Sequence, residues 1–217
     1  MRLPLTLHHA RLGATEFKVI RPAGPLSRAA LIDHDRHLDA YLDEDAARRL
    51  GGLWTLAATS PRALIHLPMR RNPLPSRALP EHAAHRLDLV LLHHSLQFAP
   101  ARWKELRNRL GPGRPRTVTL PDPSLASAAP VGHHGRHHRE NRDLFHQHRH
   151  AETLFMTGSA KVFRDTARHF LDVARHGPGY VPVHPNYPHF CTELHSNDGV
   201  LGNAREIHIE YCDAWNA

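Results

Sequence analysis

From Leu87 to Leu92 the chain reads Leu-Asp-Leu-Val-Leu-Leu, five apolar side chains in six positions, and residues 72–80 before it carry three prolines. A run of that length and composition is expected of a strand covered on both faces, which requires one packed layer above it and another below. The longest strongly apolar run, Leu89 to Leu92, falls far short of the ~20 residues of a membrane-spanning helix, so no membrane segment is expected.

The flanking pattern supplies the layers. Leu3, Leu5 and Leu7 alternate, as do Phe17 and Val19, with Gly13 between them, which predicts an N-terminal hairpin. Leu38, Tyr41 and Leu42 recur at helical spacing. A further helix is expected from an Asp43 cap, carrying Ala46, Ala47, Leu50, Leu53 and Trp54, weakened or broken at Gly51-Gly52 and ended by Ser60-Pro61. Ala63–Leu67 and Thr117–Leu120 read as strands. Between them, a helix from Pro100 carries Trp103, Leu106 and Leu110 and stops at Gly111-Pro112-Gly113.

After residue 150, Thr153–Met156 reads as a strand. A helix with Phe163, Ala167, Phe170, Leu171 and Ala174 on one stripe follows, closed by Gly177-Pro178-Gly179. Phe190–His195 and Glu206–Cys212 read as two strands. The expected class is α/β to α+β. A small mixed-sheet lobe spans 1–122, a Pro/Ser-rich and then His/Arg-rich connector spans 123–150, and a β-α-β-β lobe spans 151–217.

The charge is uneven along this plan. Residues 100–150 hold ten Lys/Arg against four Asp/Glu, whereas residues 151–217 hold five against eight. A basic segment of this kind suits an anionic partner such as RNA, DNA or an acidic protein surface. Arg70, Arg71, Arg102, Arg136, Arg139 and Arg142 are the anion-binding candidates. In an open α/β sheet, Arg70 and Arg71 would gather with Arg102 and the His93-His94-Ser95 turn outside the carboxyl ends of the strands. On this reading the protein is a binding or regulatory protein. A partner-blocking protein of the immunity or antitoxin kind would have the same gross layout.

The 22 histidines open a second line. His133/His137, His134/His138 and His146/His150 are spaced i,i+4 and would chelate a transition metal if the stretch were helical. The C-terminal hairpin is the more specific candidate. Side chains alternate across a strand, so Glu206, His208, Glu210 and Cys212 share one face, and Cys191, Glu193 and His195 share one face of the partner strand. Burying Leu194, Ile207, Ile209 and Tyr211 leaves Glu193, His195, Glu206, His208 and Glu210 as a ligand set for zinc, iron or nickel. A metal-dependent enzyme of hydrolase or oxygenase type follows, with Glu193 or Glu206 as general base. The plain alternative is the polar outer face of a half-buried sheet.

Asp33-His34-Asp35-Arg36-His37-Leu38-Asp39 has ligand-type residues but reads as the polar start of a helix. Two cysteines are too few for a disulfide framework, and the first ten residues lack a signal-peptide core, so a cytoplasmic chain with reduced thiols is expected. No phosphate-binding glycine loop, nucleophile elbow, His-Glu-x-x-His helix or Cys-x-x-Cys pair is present in the sequence. Nothing in the pattern sets an oligomeric state.

Overall fold

The structure, a computed structural model, describes residues 1–121 and 140–216. The content is mixed α and β, as the sequence predicts. The strands in chain order are β1 (Arg2–Leu12), β2 (Thr15–Pro22), β3 (Ala29–Asp33), β4 (Leu38–Leu42), β5 (Ala63–Leu67), β6 (Asp88–His93), β7 (Arg114–Thr119), β8 (His146–His150), β9 (Thr153–Gly158), β10 (Cys191–Leu194) and β11 (Ile207–Tyr211). The α-helices are α1 (Glu44–Thr59), α2 (Trp103–Asn108) and α3 (Ala160–Val183).

Two mixed sheets form. The larger has the order β7-β1-β2-β5-β6-β9-β8, and the smaller β10-β11-β4-β3. Strands from 1–122 and from 151–217 share both sheets, because β9 pairs with β6 and β11 pairs with β4, each in parallel. The connector therefore does not separate one sheet from the other.

The apolar run of β6 fills the role its composition demands. Leu89 and Leu91 face one core with Ile65, Leu67, Leu154 and Met156, while Val90 and Leu92 face another with Leu64, Phe155, Trp103 and Leu106. Helix α2 thus covers one side. On the other side α1 and α3 supply Leu50, Leu53, Trp54, Phe163 and Phe170, and the same core continues into the inner face of the small sheet through Leu31, Ala40, Leu194, Ile207 and Ile209. Trp54 is fully buried, and its indole N–H donates to Thr166 Oγ1 at 2.8 Å.

Four expectations need correction. Leu38, Tyr41 and Leu42 lie on β4, because three apolar residues in five positions satisfy a strand as well as a helical turn. Helix α1 runs unbroken through Gly51-Gly52, where the missing side chains admit close neighbours. A Cβ on Gly51 would lie 2.9 Å from Leu171 Cδ2, and one on Gly52 would lie 2.1 Å from Met1 Cε. Helix α3 passes Gly177-Pro178-Gly179 and ends at Val183, with Gly177 under the Tyr211 ring at a distance of 2.4 Å for a notional Cβ. Finally, His146–His150 forms β8 at the edge of the large sheet. On a strand, residues four apart stand about 13 Å from one another, so His146 and His150 do not chelate one ion. The pairs His133/His137 and His134/His138 lie outside the described residues.

Among the described residues, no helix is long and apolar enough to cross a membrane.

Candidate metal centre

The small sheet has one apolar face on the core and one face turned away from it, as its alternation requires. Its registers place Glu193 opposite His208, and His208 opposite Asp39. The neighbouring row is Cys191, Glu210 and Tyr41. Six chemistry-bearing side chains from three strands therefore stand in two adjacent rows.

A cavity of about 350 Å³ opens over five of them, Cys191 excepted, and is lined by His37, Asp39, Tyr41, Glu193, Glu206, His208 and Glu210. Four carboxylates against two imidazoles make it a place for a cation and a poor place for an anion.

Two histidines here have carboxylate neighbours. His208 Nδ1 lies 3.5 Å from Asp39 Oδ1 and 3.9 Å from Glu210 Oε2, while its Nε2 lies 4.0 Å from Glu193 Oε1. His189 Nδ1 bonds Glu210 Oε1 at 2.7 Å. The two imidazoles stack with centroids 5.2 Å apart. Donor atoms of His189, Cys191 and His208 all fall within 4.8 Å of one another and could hold a metal ion. A carboxylate on one imidazole nitrogen fixes the ring and leaves the other nitrogen for an ion.

The surroundings set the protonation states. Asp39 pushes the His208 imidazole above its ordinary value against the opposing effect of burial, with help from Glu210 and Glu193. Burial works to raise the Asp39 carboxyl, but His208, His34 and His37 together hold it below the ordinary range. Burial, then Glu193 and Glu210, push the Cys191 thiol up, so a thiolate there needs a cation beside it. Burial and the Asp39 and Glu210 charges push the Tyr41 phenol far up, so Tyr41 keeps its proton and donates to Asp39 Oδ2 at 3.2 Å. The Ser196 hydroxyl and backbone N–H hold Glu206 low, which makes it a weak base.

Of the hairpin set, Glu193, Glu206, His208 and Glu210 come together around the cavity. His195 does not line it. Its Nδ1 accepts from the Asn197 backbone N–H at 3.1 Å, and its Nε2 lies 3.3 Å from Glu206. Glu210 is buried and already paired with Arg77 and His189, which suits a group that orients a ligand. Sequence reasoning missed His37, Asp39, Tyr41, Arg77 and His189. The ligand-type run from Asp33 to Asp39 was the available signal, and the helix reading of Leu38–Leu42 hid it.

Of the arginine set, Arg70 and Arg71 are not brought together with Arg102. β5 and β6 are antiparallel, so the chain carrying Arg70 and Arg71 leaves the opposite end of that pair from the chain leading to Arg102. Arg70 pairs with Glu152, and Arg102 with Glu105 at 3.2 Å. Arg71 and Arg142 are exposed, and Arg136 and Arg139 lie outside the described residues.

Comparison of the chain with family models, curated proteins and solved structures finds no match.

Proposed function

We propose that this protein is a metal-dependent enzyme of the hydrolase type, holding zinc, iron or nickel through His189, Cys191 and His208. The observation that carries the reading is the pair of orienting carboxylates, Asp39 on His208 and Glu210 on His189, with the Cys191 thiol beside the same two rings. Three protein ligands and an open position are the usual arrangement of a catalytic zinc site. A bound ion of this kind lowers the pKa of a coordinated water toward neutrality. Glu193 is half-exposed at the cavity and would take a proton from such a water as general base. The cavity volume of about 350 Å³ suits a small substrate. Its acidic lining favours a neutral or cationic one.

The test is the metal content of tag-free protein, purified without a metal resin and dialysed against a weak chelator. The wild type is expected to retain an ion that His208→Ala loses. Glu193→Gln is expected to retain it while losing metal-dependent hydrolysis across a panel of nitrophenyl esters, phosphotriesters and amides. A wild type that holds no tight ion, or His208→Ala that holds as much, overturns the reading. Attention would then pass to salt-dependent binding of an anionic macromolecule through the basic segment 100–150.

A further inference from the structure

A second group of imidazoles stands beside this centre. The turn between β3 and β4 carries His34 and His37, and a short 3₁₀ turn, Pro80–His85, carries His82. The His34 ring stacks on His37 with centroids 4.9 Å apart and meets His82 edge-on at 4.7 Å. Asp39 faces the same group. Its Oδ2 lies 3.0 Å from His34 Nε2 and its Oδ1 lies 3.6 Å from His37 Nε2.

Two nitrogens in this group make no hydrogen bond. His34 Nε2 and His82 Nδ1 are both buried, and His34 Nε2 has only the ion-pair approach of Asp39 Oδ2 at 3.0 Å. Leaving a buried polar nitrogen without a hydrogen bond is unfavourable. A cation between them removes that cost.

The spacing suits one ion. Bonds of about 2.1 Å to a tetrahedral zinc set the ligand atoms about 3.4 Å apart. His34 Nε2 stands 3.0 Å from one Asp39 oxygen and His37 Nε2 3.6 Å from the other, both near that edge. Donor atoms of His34, His37 and Asp39 all lie within 4.8 Å of one another.

The backbone holds the donors in place. Asp35 between the two turn histidines has φ +63°, a left-handed conformation that asparagine and aspartate tolerate best after glycine. Asp33 fixes it. Its buried carboxylate accepts from the Asp35 N–H at 2.9 Å and from Arg205 at 2.6 and 3.1 Å, and pairs with Arg149 at 2.9 Å. Arg205 also donates to the Asp35 carbonyl at 2.8 Å. On the other side, the Ile32–Arg86 bridge and the bond from Leu87 N–H to Leu31 O tie the segment after His82 to β3. A turn clamped by two arginines, with His34 Nε2 making no hydrogen bond, is preorganised for a ligand.

We propose that His34, His37, His82 and Asp39 form a second, closed metal site of the structural kind, which takes zinc or a similar divalent ion and pins the 80–85 turn to the β3–β4 turn. His34, His37 and Asp39 supply three ligands, and the His82 ring, which meets His34 edge-on, would turn in to supply the fourth and close the shell, in contrast to the His189–Cys191–His208 centre. The site uses its own three histidines and shares only Asp39 with its neighbour.

Cobalt titration of the full-length, metal-stripped protein separates the two sites, because only one contains a thiol. The titration is made in the presence of a weak chelating competitor. The background carries H133A, H134A, H137A and H138A, so that loose binding by those histidines does not count. Two tight cobalt ions are expected, one with a thiolate-to-cobalt charge-transfer band and one without it. His82→Ala is expected to weaken the ion without the band by more than about tenfold and to leave the banded ion in place. Cys191→Ser removes the band and leaves the other ion. Absence of the banded ion alone counts against the hydrolase centre. Absence of the ion without the band, or its equal affinity in His82→Ala, overturns the second site. If His82→Ala does not fold, acylation of wild-type histidines by diethylpyrocarbonate, read by mass spectrometry, decides the matter. Protection of the exposed His37 by added zinc supports the site, and unchanged labelling of His37 overturns it.

Discussion

His208 Nδ1 stands 3.5 Å from Asp39 Oδ1 across the parallel pair of β11 and β4. Asp39 also faces His34 and His37, so one carboxylate lies between two groups of imidazoles. Asp39→Ala is therefore expected to lower affinity at the His189–Cys191–His208 centre by about 10–100-fold, the usual effect of losing a carboxylate that orients a ligating histidine. Competition with a chromophoric chelator reads this directly. Unchanged affinity would reduce Asp39 to a packing role.

Gly177→Ala tests the packing under the site. Alanine favours a helix over glycine by about 1 kcal/mol. Its Cβ, however, would lie 2.4 Å from the Tyr211 ring. Overpacking of a core costs about 1–3 kcal/mol, and the ring is held between α3 and β11. Net destabilisation is expected in urea unfolding, and stabilisation would show that the α3–β11 contact yields easily.

Acid stability rests in part on Asp88. Its Oδ1 accepts the backbone N–H groups of Met69 and Arg70 at 3.0 and 2.9 Å, and His66 and Arg107 approach its Oδ2 at 3.8 and 3.9 Å. Burial works to raise this carboxyl, but His66 and the Arg70 backbone bond hold it below the ordinary range. A depressed carboxyl adds stability that is full above its unfolded pKa and is lost as pH falls through the folded one. His66 acts in the same sense, because burial lowers its imidazole and unfolding lets it take a proton. Unfolding free energy is expected to fall from neutral pH toward acid, and Asp88→Asn to flatten the lower part of that fall. A parallel pH profile in the variant would assign the loss elsewhere.

Changing His133, His134, His137 and His138 to alanine is expected to leave tightly held metal unchanged and to reduce only retention on a nickel resin. Loss of the tight ion in that variant, measured by elemental analysis, would move the centre to those residues.

The sequence reading succeeded where one strand or one helix face carried the information. The β6 run demanded two layers and has them in Leu89/Leu91 and Val90/Leu92. Alternation along Cys191–His195 and Glu206–Cys212 placed Glu193 and His208 on one face, and the register puts them opposite each other. Local pattern failed where a distant partner decides. The Leu38–Leu42 spacing fits helix or strand, and only pairing with β3 and β11 makes it β4. That misreading concealed Asp39 and His37. The glycines at 51, 52 and 177 read as breaks because their role depends on Leu171, Met1 and Tyr211, which no local window contains.

Pairing between β4 and β11 also fixes when the centre can exist. A nascent chain grows at about 5–20 residues per second, so Asp39 leaves the ribosome roughly 10–30 seconds before His208. During that interval β4 lacks its parallel neighbour, and His37 and Asp39 face solvent without the hairpin. An ion held through His208 would thus be captured only after this long-range closure, which is the slowest kind of contact to form.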